Sequence, residues 1–351
     1  MASVAVTGAA GPVGRRLVAA ALADESVKRV VAVDRDPLED VLATPLRTEP
    51  DRLELHRVQL RGDDLDPLFA GVEVVCHLAG SDPLEGTPPD HDLHTIARVL
   101  DAARRAGVEH LIVRTSATVY GAWDDNPVPL SETAPTRPNT ESDWVRTRAA
   151  IEDRLGTFDD AEPAVAVSVL RPCVTVDEHG PDELGRVLAA ARLVAPTDDA
   201  PPAQFVHADD VAAAVDLIRR ERAEGCFNVA PDGALDAELI RALVGGAPRL
   251  PLPEGMARRL TAFGWRYQLA PTPPGFVPFV IHPWVVANDK LRALGWEPGH
   301  SNEEAFVAGH AAAPWAQISP QRRQEIALGA TGLALVGAIA GGVALVRRHL
   351  R

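Results

Sequence analysis

Thr7-Gly8-Ala9-Ala10-Gly11-Pro12-Val13-Gly14 is the stretch on which the fold is read. A β-branched run, residues 4–7, leads into it, and an apolar-periodic segment, residues 13–23, leads out. Strand, tight turn and helix N-terminus therefore follow one another in order. The three glycines have separate tasks: one permits the turn, one lets the main chain approach a pyrophosphate, and one lets helix and strand pack closely. The free N–H groups and dipole of the helix then face the phosphate charge. Asp34 ends the next strand-like run, residues 29–33, twenty residues after Gly14, where a carboxylate accepts hydrogen bonds from an adenosine ribose. The pattern predicts a dinucleotide site that includes Gly8, Ala10, Gly11, Pro12, Val13, Gly14 and Asp34. Asp34 favours NAD, because it repels a 2′-phosphate. Arg35, next in the chain, suits that phosphate, and NADP stays open.

Outward from this stretch, the strand-like runs 53–59, 72–78 and 110–115 alternate with helical patterns. Residues 92–106 carry Leu93, Ile96, Val99, Leu100 and Ala103 at helical spacing and stop at Gly107. Such alternation predicts an α/β fold: a Rossmann-type, doubly wound parallel sheet with helices on both faces. Residues 140–155 read as a helix and 164–170 as a strand. Residues 204–207 and 226–229 read as strands returning to the first domain on either side of a helix, 209–220. The expected organisation is a Rossmann domain, 1–175 and 204–230, with a smaller C-terminal substrate lobe, 176–203 and 231–312, rich in Pro and Gly. A linker, 313–325, and an apolar segment, 326–346, follow.

A chain of 351 residues, 46% hydrophobic and 24% charged, has the composition of a folded domain and buries a core without disulfides. The formal net charge of −14 argues against a nucleic-acid partner, since phosphate backbones reward basic faces. The cysteines Cys76, Cys173 and Cys226 have no metal-ligand spacing and read as reduced thiols. No basic stretch followed by an apolar run and a cleavage site precedes residue 4, so a cytoplasmic globular domain is expected.

Further landmarks stand in order. Gly62-Asp63-Asp64-Leu65 follows the third strand, and Val75-Cys76-His77-Leu78-Ala79-Gly80 forms a strand and loop. Thr115-Ser116-Ala117-Thr118-Val119-Tyr120-Gly121, Leu170-Arg171-Pro172, Phe205-Val206-His207-Ala208-Asp209-Asp210 and Gly225-Cys226-Phe227-Asn228-Val229 come later. With Gly8-x-x-Gly11-x-x-Gly14, this set resembles the extended short-chain dehydrogenases, the NAD-dependent epimerase/dehydratase family that includes nucleotide-sugar 4-epimerases. The resemblance implies an adenine contact at Asp63 or Asp64 and cofactor contacts at Leu78, Ala79, Gly80 and Pro172. It also implies an active-site hydroxyl at Ser116 and a small-molecule, sugar-like substrate. A homodimer is left open.

The catalytic pattern departs from the family. Its Tyr-x-x-x-Lys, in which a phenolate exchanges a substrate proton and an ammonium lowers the phenol pKa, aligns here with Trp144-Val145-Arg146-Thr147-Arg148. Tyr120 and Tyr267 are the two tyrosines of the chain, and neither has Lys four residues later. An indole only donates, and Arg148 binds ribose hydroxyls but relays no proton. Ser116, Tyr120, Asp143 and His207 are the substitute acid/base candidates. Two nucleotide-sugar landmarks are also missing: Val174 stands where the family often has Asn, and Ala203-Gln204 where it often has Arg-Asp. Two functions are expected in competition, an NAD(P)-dependent epimerase/dehydratase-like oxidoreductase and a non-catalytic NAD(P)-binding sensor or scaffold at a membrane.

The membrane enters through residues 326–346, 21 residues without a charge, which as a helix would span roughly 31 Å, near the thickness of a bilayer's hydrocarbon. Arg322 and Arg323 precede this segment, Arg347 and Arg348 follow it, and Gly337 and Gly341 give a face for close helix contact. A C-terminal transmembrane helix with the globular domain in the cytoplasm is the expectation.

Overall fold

The computed structural model describes residues 2–83, 88, 90–192, 200–243, 254–267 and 272–310. Seven parallel strands form the main sheet: β1 (Ala2–Thr7), β2 (Val27–Asp34), β3 (Leu53–Arg57), β4 (Val74–His77), β5 (His110–Arg114), β6 (Ala166–Pro172) and, last in the chain, β10 (Gly225–Val229). Their order is β10-β6-β5-β4-β1-β2-β3. The direction of winding reverses between β1 and β4, and the strand ends open a crevice at such a switch point.

Alternation along each strand builds two cores. Val4 and Val6 join Val30, Ala32 and Ile112 under the helices Pro12–Ala23 and Ala208–Glu221. Ala5 joins Val31, Val33, Leu111 and Val113 under the helices Asp90–Ala106 and Asp143–Ala161. Strands buried on both faces read as continuous apolar runs, which is why β1, β2 and β5 are so legible. On the helix Asp90–Ala106 the stripe Ile96, Val99, Leu100 and Ala103 is buried, as its 3.6-residue period requires.

A second, three-stranded sheet holds β7 (Val174–Asp177), β8 (Gly180–Pro181) and β9 (Phe205–His207) in the order β8-β7-β9. This corrects the sequence reading of residues 204–207, which leave the main sheet to pair with β7; of the two expected returning strands, residues 225–229 alone rejoin it. The helix Asn302–Gly309 packs on β9, with Phe205 and Phe306 edge to face at 4.8 Å. Asp210 fastens the loop before that helix, accepting from the backbone N–H groups of Gly299 (2.7 Å) and His300 (3.2 Å). Among the described residues no helix is long and apolar enough to cross a membrane. The linker 313–325 and the segment 326–346 lie outside the described residues.

Below β5 and β6 lies a buried polar knot. Arg171 meets Glu152 at 2.5 Å, with both side chains less than one-tenth exposed, and donates to the Tyr120 hydroxyl at 2.7 Å. Tyr120 in turn donates to Asn228 (2.8 Å), and Thr115 to Glu152 (2.6 Å). Removing one member of a buried pair strands the other charge. Glu152→Ala is therefore expected to lower unfolding free energy by about 3 kcal/mol or more, read from denaturant midpoints, whereas a loss below about 1 kcal/mol would mean the pair is not closed in solution.

Candidate functional site

The loop after β1 is shaped by contacts that leave no room for a side chain. Gly8 has φ +77°, and a Cβ there would lie 2.7 Å from the Ala79 nitrogen; a Cβ on Gly14 would collide with the Gly8 carbonyl oxygen. The loop and the turn after β4 are thus pressed together, and the helix Pro12–Ala23 starts hard against them. Asp34, at the end of β2, accepts from the Ala10 N–H at 2.8 Å through Oδ2 and from the Asp36 N–H at 3.1 Å through Oδ1.

These elements frame a cavity of about 450 Å³, within the size range of small-molecule and cofactor sites. Gly8, Ala10, Gly11, Pro12, Val13 and Gly14 form one wall, and Asp34 and Arg35 one end. Leu78, Ala79, Gly80 and Arg148 line it as well. All of these positions, named from the sequence as cofactor contacts, line this one cavity. A glycine cradle beneath a helix N-terminus and a carboxylate at the end of β2, both lining one cavity, suit a dinucleotide.

Asp63 and Asp64, named from the resemblance for an adenine contact, are not among the residues lining the cavity. The Asp63 carboxylate turns back to the Gln59 N–H (2.8 Å) and Asp64 to the Asp66 N–H (3.1 Å). Val58, Gln59, Leu60 and Arg61, directly after β3, line the wall instead.

At the ends of β4, β5 and β6 a smaller cleft of about 30 Å³ shares Gly80, Ser81, Arg114, Arg148 and Asp182 with the large cavity. Ser116, Trp144 and Pro172 line this cleft, so Pro172 lies beside the small space and not on the wall of the large one. Ser142 caps the helix Asp143–Ala161, accepting from the Val145 N–H, and so sets the direction of Trp144 and Arg148. Both side chains converge on one carbonyl: the Trp144 indole donates to Ser81 O at 2.9 Å and the Arg148 guanidinium at 3.2 Å. The guanidinium stacks 4.6 Å from the Trp144 ring and pairs with Asp92 at 3.0 Å. Burial lowers the Arg148 pKa from its usual value. Burial pushes Asp92 the other way, but Arg148 and the Ser81 hydroxyl, 2.6 Å away, bring its carboxyl below the usual range.

The remaining acid/base candidates sort by geometry. Ser116 is buried, at the lip of the cleft, with its Oγ accepting from the Thr118 N–H (3.2 Å) and hydroxyl (3.0 Å); its own proton stays available. Tyr120 is fully buried in the polar knot, and burial pushes its phenol up to about 12. Asp143 is exposed and paired with Arg146. His207 caps the helix Ala208–Glu221 through the Asp209 N–H and stacks on His300 at 4.1 Å. Neither Tyr120, Asp143 nor His207 lines either cavity, so all three are withdrawn as candidates. Val174 is buried in β7, and the Gln204 amide is spent on the backbone of Gly233 and Val286.

Sequence reasoning missed three groups. Asp92, on the first turn of its helix, looked like an N-terminal acid. Arg114, at the end of β5, lines both spaces and makes no ion pair or hydrogen bond among the described residues. Asp182, also on both walls, looks in sequence like an ordinary helix cap, and Oδ1 does accept from the Gly185 N–H at 2.9 Å. Burial nevertheless pushes its carboxyl up to about 7.

Residues 4–230 match the NAD dependent epimerase/dehydratase family, and the chain belongs to that family. An uncharacterized protein of Mycobacterium tuberculosis (strain ATCC 25618 / H37Rv) is 24% identical over 259 residues, covering 71% of this chain and 67% of that protein. Among solved structures, MoeE5 in complex with UDP-glucuronic acid and NAD is 24% identical with a TM-score of 0.61, covering 87% of this chain and 97% of that one. The dTDP-glucose 4,6-dehydratase of Bacillus anthracis in complex with NAD is 13% identical with a TM-score of 0.64, covering 92% and 98%. At these identities the likeness is one of fold.

A carboxyl that is neutral when folded and ionised when unfolded binds more protons in the native state, so its contribution to stability falls as pH rises from about 4 to about 7. Asparagine keeps the cap and removes the charge. Asp182→Asn is expected to gain on the wild type across that window by up to about 4 kcal/mol, and parallel stability–pH curves for the two proteins would contradict the buried, raised carboxyl.

Proposed function

We propose that the large cavity binds NAD and that the adjoining cleft receives a small, polar, sugar-like substrate, making the chain an epimerase/dehydratase-like oxidoreductase with a replaced proton-transfer group. The observation that carries this reading is the shared wall. The cavity with the glycine cradle runs into the cleft that holds Ser116, so a dinucleotide's reactive end and a substrate hydroxyl would meet where Ser116 and Asp182 stand. NAD, when bound, supplies hydride transfer there. Its pyrophosphate would lie over Gly11–Gly14 and its adenosine ribose at Asp34, whose charge disfavours a 2′-phosphate; NADP is the less suited cofactor.

In this reading the indole of Trp144 covers the place where the family uses a phenol, and Arg148, held by Asp92 and Ser81 O, keeps the cleft cationic without exchanging a proton. Ser116 donates to the substrate oxygen. Asp182, neutral or ionised according to pH near 7, is the group suited to take or give a proton at working pH. With Val174 and Gln204 withdrawn from the cleft, the diphosphate of a nucleotide sugar has no anchor at those positions, and a polar substrate without that group fits the lining as well. The second reading, a non-catalytic NAD-binding sensor or scaffold, is favoured by one observation: the cleft, about 30 Å³, is far below the roughly 300–1,000 Å³ of small-molecule sites. Attachment to a membrane through 326–346, with the globular domain in the cytoplasm, belongs to the same proposal and rests on the uncharged length of that segment.

Titration calorimetry tests the cofactor first. Gly11→Asp puts a carboxylate where the pyrophosphate lies and is expected to abolish NAD binding; equal affinity for wild type and variant would remove the cofactor assignment.

The cleft is tested by Trp144→Tyr with Arg148→Lys, which restores a hydroxyl and an ammonium one helical turn apart on one face. NAD affinity is expected to stay within about tenfold, or roughly 1.4 kcal/mol, while NAD reduction across a panel of sugars and alcohols gains the pH dependence of a tyrosinate beside that of Asp182. Ser116→Ala is expected to lower whatever turnover the native protein has. Native turnover insensitive to both Ser116→Ala and Asp182→Asn would place the chemistry elsewhere.

A further inference from the structure

The helix Glu254–Arg266 turns an apolar row to solvent. Met256, Leu260, Phe263 and, one residue past the helix, Tyr267 recur at intervals of four, three and four and are 55%, 44%, 55% and 58% exposed. Residues so spaced share one helical face. The Tyr267 N–H still bonds Phe263 O at 3.1 Å, and the two rings sit 4.6 Å apart. The other face is the packed one: Thr261 is 2% exposed, and the helix rests on the 3-10 segment Pro274–Val280. The other exposed large apolar side chains among the described residues, Val41, Val128, Leu243 and Val307, are not gathered into such a row.

Arg259 and Arg266 stand exposed along one flank of the row and make no ion pair or hydrogen bond among the described residues. In a chain of net charge −14, two cations spaced about two helical turns apart on one side of an apolar stripe give this face a sign opposite to the whole.

We propose that this face lies on a lipid bilayer containing anionic headgroups, with Met256, Leu260, Phe263 and Tyr267 at the acyl boundary and Arg259 and Arg266 at the phosphates. An interfacial helix is built this way, with an apolar face inserted and arginines at its border. A row of four side chains is narrow for a stable protein–protein contact, which uses roughly 20–30 residues a side. The chain also supplies proximity. Residues 311–325 reach at most about 50 Å when extended, so a bilayer entered by 326–346 stands within reach of the domain. The inference is independent of the cofactor reading and takes from the anchor only this nearness.

The test uses the full chain with Phe263→Cys carrying an environment-sensitive nitrobenzoxadiazole label, and Val128→Cys as the exposed control. The unsubstituted chain reports labelling of its own cysteines. Phosphatidylcholine vesicles, with and without phosphatidylglycerol, are floated with each protein. The label at 263 is expected to shift to the blue and to be quenched by spin-labelled lipid, more strongly with phosphatidylglycerol, while the label at 128 stays solvent-like. Two arginines at about 1 kcal/mol each correspond to about thirtyfold in the inserted fraction, a gain that Arg259→Gln with Arg266→Gln is expected to remove. Flotation on anionic vesicles alone supports the helix and removes the anchor. A solvent-like label on floated vesicles overturns the proposal and leaves the anchor standing. A blue shift already present without vesicles overturns it in favour of a second copy or the chain's own tail, and so does failure to float on either vesicle.

Discussion

The absence of a side chain at Gly14 lets the first turn of a helix sit against the Gly8 carbonyl, and the absence of one at Gly8 lets the loop after β1 press on Ala79. β1, β4 and the helix Pro12–Ala23 are thereby held at a spacing no other residue permits. The large cavity is what lies above this junction. Its wall and the helix N–H groups facing it both follow from two missing methyl groups, and Asp34 secures the loop from β2 through the Ala10 N–H.

The other end of the site depends on buried charge. Arg171, Glu152, Tyr120, Thr115 and Asn228 satisfy one another beneath the strand ends, and the chain on either side of Thr115 is fixed as a result. Ser116, next in sequence, then caps the short 3-10 turn Ala117–Tyr120. A network of this kind is costly if any member is unpaired, which ties the position of the buried Ser116 hydroxyl to Arg171, Glu152, Tyr120 and Asn228, none of which lines either cavity.

Much of this was legible in the residues. β1, β2 and β5 are buried on both faces, so their β-branched runs stand out, and the glycine loop has a spacing with few physical explanations. The cavity wall at Gly8–Gly14 and Asp34 followed from that alone, and Leu78–Gly80 from the family resemblance. The legible part ended where several alternatives have equal local merit. Asp63 and Asp64 offered carboxylates in the expected region, yet both were spent on their own loop, and the wall fell to Gln59 and its neighbours. His207, Tyr120 and Asp143 each had suitable chemistry, and only the packing separated a helix cap, a core phenol and a solvated ion pair from a reacting group. Asp182 was hidden because capping is a sufficient local reason for an aspartate; its burial is set by elements distant in sequence. Residues 205–207 formed the strand expected but joined the smaller sheet, since a three-residue run carries no information about its partner.

His77 and Asp182 line the same cavity and are both held uncharged by burial, from opposite directions. His77 is lowered to about 4 and Asp182 raised to about 7, whereas an unfolded chain carries a protonated imidazole below about 6.5 and an ionised carboxyl above about 3.9. On folding between those limits, one group gives up a proton and the other takes one up. Stability rises with pH through the histidine and falls through the aspartate. Their slopes oppose each other over most of the mildly acidic range, and the proton inventory of this pair is nearly closed. Two groups of opposite type on one cavity wall thus offset one another, and the pair adds little net acidity dependence to folding in an interval where either alone would add its own.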